Sequence, residues 1–115
     1  AHDSHNIIVL GDSNADMAAA VAELKRIGGG MAVVGKGGVH SLPLDIAGLM
    51  SSLPAEEVAA RTAHISAAAR RMGVKEGYDP FMTLAFLALP VIPHLKLTDK
   101  GLFDGDKFAF TKVEV

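Results

Sequence analysis

A chain of 115 residues has the size of one ordinary domain and is too short for a catalytic barrel of about 250 residues. Half of it is hydrophobic and 21% is charged, enough apolar surface to fold around a core rather than stay disordered. Eleven basic residues against thirteen acidic ones leave a formal net charge of −2, with no cationic surplus for a nucleic-acid backbone, and the absence of cysteine excludes disulfides, thiol catalysis and thiolate metal sites.

A cysteine-free composition fits a reducing cytoplasm. The longest apolar stretch runs from Phe81 to Ile92 and contains Pro90, well short of the ~20 residues a membrane-spanning helix needs. The N-terminus, Ala1-His2-Asp3-Ser4-His5-Asn6, is polar and has neither the charged nor the apolar region of an export signal. It also lacks an initiator methionine, and the chain therefore reads as cut from something longer.

In chain order, Ile7-Ile8-Val9-Leu10 predicts a short strand buried on both faces, because three of its four residues are β-branched. Asp12, Ser13 and Asn14 offer N-cap oxygens for a helix whose apolar stripe is Met17, Val21, Leu24 and Ile27. Lys25 and Arg26 suit the negative end of that helix, and Gly28-Gly29-Gly30 stops it. Met31 to Val34 and Val39 to Leu44 read as two strands joined through Gly35-Lys36-Gly37-Gly38. Ile46 to Met50 has no clear period and reads as a loop or a short helical turn.

Ser51 or Ser52 is placed to cap a second helix, with Pro54 in its first turn, Val58, Thr62, Ile65, Ala69 and Met72 on one face and Gly73 at its end. Asp79-Pro80 opens a third helix, Phe81 to Leu89, apolar nearly all round and expected in a core, with an interface as the alternative. Leu95-Lys96-Leu97-Thr98 alternates as a strand, Asp99-Lys100-Gly101 turns, and Phe108 to Val113 reads as a last strand. The fold class expected is α/β (α+β): a single compact domain with a mixed β-sheet of about five strands packed with about three helices. Residues 1–6 are expected to be a polar junction segment and residues 7–115 the domain itself.

The densest polar cluster is the head. His2 and His5, three residues apart with Asp3 between them, present two imidazoles and a carboxylate to a metal or a ligand. The plainer reading of the same residues is a frayed, solvated terminus, or a turn capped by Asp3 or Asn6. Neither glycine run opens a helix after a strand, so neither forms a phosphate cradle. His40, His64 and His94 are scattered, and Lys96, Asp99, Lys100, Asp104, Asp106 and Lys107 read as solvated turn charges.

Several segments resemble, as strings, the C-terminal domain of bacterial adenine deaminase. They are His2-Asp3-Ser4-His5-Asn6-Ile7-Ile8-Val9 with Gly11, Asp16-Met17, Gly28-Gly29-Gly30, Leu44 to Ser51, Pro54 to Val58, Asp79 to Pro93, Leu95 to Asp99 and Gly101 to Asp104. The resemblance covers essentially the whole chain in order, and the long segment from Asp79 is its most specific part. It implies part of an amidohydrolase-type, metal-dependent enzyme of purine salvage that converts adenine and water to hypoxanthine and ammonia. In that family a manganese or iron centre lowers the pKa of a bound water and a carboxylate moves protons to the leaving amine.

The barrel strands and their His-x-His metal ligands are absent from this sequence, which puts catalysis by this chain alone in doubt and leaves no catalytic residue to name. The resemblance implies the catalytic barrel of the same enzyme as partner and adenine in the intact enzyme; charge and hydropathy point to no nucleic acid and no membrane, and a second copy of the chain is a further candidate partner. His2, Asp3 and His5 are the residues expected near substrate, with His2 and His5 as candidate metal ligands beside a manganese or iron ion bound mainly by the barrel. The alternative from another class is a stand-alone, non-catalytic module for small-ligand binding or oligomerisation.

Overall fold

A computed structural model describes residues 1–113. Three helices and five strands follow in the order α1 (Asn14–Ile27), β1 (Gly30–Gly35), β2 (Gly38–Pro43), α2 (Ala55–Arg71), α3 (Pro80–Phe86), β3 (Leu95–Thr98), β4 (Gly101–Asp104) and β5 (Ala109–Phe110). The mixed helix-and-strand class holds, and so do the numbers of elements. The strands do not share one mixed sheet, however. β1 and β2 form a two-stranded antiparallel sheet, and β3, β4 and β5 form a second antiparallel sheet in that order. The chain groups into two compact units, one of Val9–Pro80 and one joining Ala1–Ile8 to the residues from Phe81 onward.

The unit Val9–Pro80 is built around the β1–β2 hairpin. Ser13 caps α1 by accepting the Asp16 N–H at 3.2 Å, and Gly28 ends the helix in the left-handed region with φ 78°. The Gly28 N–H donates to the Lys25 carbonyl and the Gly29 N–H to the Leu24 carbonyl, which together satisfy the last turn. Gly30 then enters β1 at φ 137°, where a β-carbon would lie 2.1 Å from the Leu42 carbonyl oxygen. No side chain is compatible with that approach.

The hairpin pairs Gly30 with Pro43, Met31 with Leu42, Ala32 with Ser41 and Val33 with His40, and Gly38 supplies the positive φ at its turn. Strand alternation turns His40 and Leu42 to one face and Ser41 to the other. Ser41 Oγ donates to Glu23 Oε1 on α1 at 2.6 Å, while His40 meets His64 on α2. Leu42 and Ile65 are each 1% exposed and form the centre of this core with Ala20, Ala68 and Ala69.

α2 starts without the expected serine cap. Pro54 occupies the N-cap position, and its carbonyl accepts the Glu57 and Val58 N–H groups. Ser52 is committed instead to Asp45, donating its N–H at 2.9 Å and its Oγ–H at 2.6 Å. Those bonds, the hydroxyl first, hold the Asp45 carboxyl below its ordinary range. Gly73, at φ 106°, ends the helix as expected.

The predicted first strand is absent. Residues 7–10 are irregular, and Ile7, Val9 and Leu10 are exposed. A β-branched run becomes a strand only where a neighbouring edge supplies its hydrogen bonds, and residues 7–10 pair with no strand among the described residues. The fifth strand is instead β4, which the sequence concealed in the segment after the Asp99–Lys100 turn. The predicted last strand shortens to β5.

In the other unit, α3 stops at Phe86 and the chain tightens into i→i−3 turns through Leu89. No residue of α3 is fully buried, contrary to the core role expected of it. The Leu97 N–H donates to the Leu87 carbonyl at 2.9 Å and ties β3 to the end of this segment. Phe103 is buried beneath Phe108 and Phe110, packed edge-on at centroid distances of 5.3 and 5.4 Å. The β4–β5 turn is organised by Asp104, which accepts the Asp106 and Lys107 N–H groups and pairs with Lys107 Nζ at 3.0 Å. The Lys107 ammonium and then its N–H hold this carboxyl below its ordinary range, so Asp104 is a structural acceptor rather than a solvated charge.

Two outcomes test this account. Ile65→Ala, which removes a wholly enclosed side chain, is expected to lower unfolding free energy in urea by about 2–5 kcal/mol. Val39→Ala, at a side chain 54% exposed, changes it far less. The second concerns acid. Glu23, 12% exposed, is held at about 2 by the Arg26 guanidinium first and the Ser41 hydroxyl second, below an ordinary 4.5. A depressed folded-state value stabilises fully above pH 4.5, and that contribution disappears as pH falls towards 2. Glu23→Gln therefore flattens the loss of stability between those two pH values in thermal melts.

Candidate functional site

The head residues fold into a compact turn. The His5 N–H donates to the Ala1 carbonyl at 3.0 Å, and the Ala1 nitrogen donates to the Asn6 carbonyl at 2.8 Å. Ser4 Oγ donates to Asn6 Oδ1 at 2.7 Å. Closing this turn puts His5 at φ 51°, in the left-handed region that a residue with a side chain seldom occupies. Such a backbone costs about 1–3 kcal/mol and is held by its surroundings. The head is therefore an ordered turn, not a frayed end.

The turn divides the predicted site residues. His5 lines a pocket of about 320 Å³ together with Ser4, Asn6, Ala88, Pro90, Thr98 and Asp99. His2 and Asp3 do not line it. They pair with each other, His2 Nε2 to Asp3 Oδ2 at 3.0 Å, and the His2 ring stands edge-on to Phe86 at a centroid distance of 5.8 Å.

Thr98 and Asp99 enter the pocket from the β3–β4 turn. Thr98 Oγ1 donates to the Gly101 carbonyl at 2.8 Å and accepts the Lys100 N–H at 3.2 Å, which fixes the turn. The lining is mixed, polar at residues 4–6 and 98–99 and apolar at Ala88 and Pro90. Nothing in the sequence marked Thr98 and Asp99 as lining residues, because only the hairpin brings them beside residues 4–6.

Among the described residues no three His, Asp or Glu side chains come together as a ligand set, so a manganese or iron ion at His2 or His5 would take its remaining ligands from outside these residues. His94 is exposed and hydrogen-bonded to Asp106. Among the described residues no helix is long and apolar enough to cross a membrane.

A family model described as the adenine deaminase C-terminal domain matches residues 1–109. The chain belongs to that family. Adenine deaminase 2 of Carboxydothermus hydrogenoformans is 57% identical over 116 residues, covering all of this chain and 20% of the relative. Adenine deaminase of Nitratidesulfovibrio vulgaris Hildenborough is 56% identical over 117 residues with the same coverage. Adenine deaminase of Escherichia coli K12 is 55% identical over 115 residues, covering 99% of this chain and 19% of the relative. This adenine deaminase C-terminal domain thus spans about a fifth of the length of the curated relatives it matches. No solved structure matches it. The match includes the head turn, the pocket and nearly all of the β3–β4–β5 sheet.

The strained turn makes a prediction that separates backbone from side chain. His5→Gly removes the imidazole but accepts a positive φ freely, so it is expected to fold at least as stably as His5→Ala, by about 1 kcal/mol in urea unfolding.

Proposed function

We propose that the chain is the C-terminal domain of an adenine deaminase that hydrolyses adenine to hypoxanthine and ammonia in cytoplasmic purine salvage, with the catalytic barrel of the same polypeptide as its partner. On this reading the manganese or iron centre is carried by the barrel, and this chain alone does not deaminate adenine. Membership of the family, with relatives five times as long named adenine deaminase, supports the activity.

The observation that carries the partner reading is the inverted strand β3. Its sequence, Leu-Lys-Leu-Thr, would ordinarily bury leucine and expose lysine. Here Leu95 and Leu97 are 53% and 58% exposed, while Lys96 is 7% exposed, its Nζ donating to the Pro93 and Leu95 carbonyls at 2.9 and 3.3 Å. With the lysine turned inward, the two leucines present apolar surface to water, a cost that is removed when the leucine face is covered. The remaining four-fifths of the enzyme supplies the cover.

His5 is then substrate-proximal, its imidazole and the Asp99 carboxylate facing the polar edge of a purine, while His2 and Asp3 brace the turn or approach the metal from outside the pocket. In a deaminase polypeptide carrying this domain, His5→Ala is expected to raise KM for adenine about tenfold, the loss of one substrate hydrogen bond worth about 1.5 kcal/mol. Unchanged metal content and unchanged kinetics after replacing both His2 and His5 by Ala would remove these residues from the site. Ammonia release from adenine by the 115-residue chain alone would overturn the assignment of catalysis to the barrel.

A further inference from the structure

Two histidines that lie 24 positions apart in sequence meet in the unit Val9–Pro80. His64 Nε2 stands 3.2 Å from His40 Nδ1, with ring centroids 5.2 Å apart and the planes inclined at 58°. Each comes from a rigid element. His40 sits in β2 opposite Val33 and two residues before the buried Leu42. His64 sits within α2, immediately before the buried Ile65. The core residues beside them therefore fix both backbones, which is the support a ligand pair needs.

We propose that His40 and His64 chelate a divalent first-row transition ion, of the zinc, nickel or copper type that neutral imidazole prefers. The spacing carries the assignment. With metal–nitrogen bonds of about 2.0–2.1 Å, nitrogens 3.2 Å apart subtend about 100–105° at a shared ion, between the right angle of an octahedral site and the tetrahedral angle. Without a metal the two nitrogens stand within hydrogen-bond distance; for both to ligate, each neutral ring carries its proton on the opposite nitrogen. A small rotation of either ring aims both lone pairs at a common point beside the N···N line.

The chemistry of the surroundings agrees. Among the described residues no third His, Asp or Glu joins the two rings, so the protein supplies two ligands. The pair is exposed, so solvent completes the coordination shell. Imidazole-only ligation without thiolate or carboxylate selects zinc, copper or nickel over magnesium, calcium or manganese. The site uses none of the head residues and stands independently of the deaminase reading.

The test is calorimetric titration of the 115-residue chain with zinc chloride alone and with nickel chloride alone, for wild type, His40→Gln, His64→Gln and the double variant His2→Gln/His5→Gln. Wild type is expected to bind one ion. Loss of an outer-shell partner alone costs about 10–100-fold in metal affinity, so loss of either ligand is expected to cost at least about tenfold. The head variant is expected to bind as wild type does. In parallel, zinc should shift the imidazole NMR signals of His40 and His64 together, with the amide spectrum reporting that each variant remains folded. Absence of saturable binding, or equal affinity in wild type and both single variants, overturns the site. So does a zinc response confined to His2, His5 or His94.

Discussion

At Gly30 the backbone of β1 comes so close to β2 that a β-carbon would sit 2.1 Å from the Leu42 carbonyl oxygen. That contact fixes the register of the hairpin, and the hairpin register decides what the unit Val9–Pro80 can be. A slip of one residue would turn every side chain of β2 to the opposite face. Leu42 would leave the core, Ser41 would lose Glu23, and His40 would swing away from His64. The three consecutive glycines are therefore not a ligand cradle. Gly28 ends α1, Gly29 lets the chain pass a β-carbon's reach from Gly48, and Gly30 admits the neighbouring strand.

In the other unit the organising device is the polar turn. Asp104 gathers two N–H groups and an ammonium, Thr98 gathers a carbonyl and an N–H, and the head closes on itself through Ala1, Ser4, His5 and Asn6. Two of these turns line the pocket. The apolar residues of this unit contribute less enclosed core than apolar surface, with Phe103 and Ala88 buried but Val91, Leu95, Leu97, Phe108 and Phe110 exposed. The balance differs from that of the hairpin unit, where two fully enclosed aliphatic side chains sit among small alanines. A surface of that kind suits a domain made to be covered, and membership of a family whose relatives are five times longer is consistent with it.

Much was legible in the residues themselves. α1 was readable from Ser13 to Gly28 because capping, stripe and stop are all local and agree with one another. The β1–β2 hairpin was readable for the same reason, from its apolar runs and the glycines between them. The α3 segment ended short because an apolar run carries no period to mark where a helix gives way to tighter turns. Ile7 to Leu10 failed as a strand, and Gly101 to Asp104 succeeded as one, because strand formation depends on a partner edge that propensity does not contain.

The sequence by itself determined both ends of α1, the C-terminal stop of α2, the β1–β2 hairpin, the polar character of the head and, through ordered strings along its length, the family. Only the tertiary structure decided that His5, and not His2 or Asp3, lines the pocket with Thr98 and Asp99, that Lys96 lies inside and its leucine neighbours outside, and that His40 and His64 meet across 24 positions. The physical reason is the range of the interactions. Caps, turns and periodic stripes act within four or five residues, where sequence spacing is distance. The placement of a side chain against a residue far along the chain depends on strand register and helix packing, which fix distance only after the chain has folded.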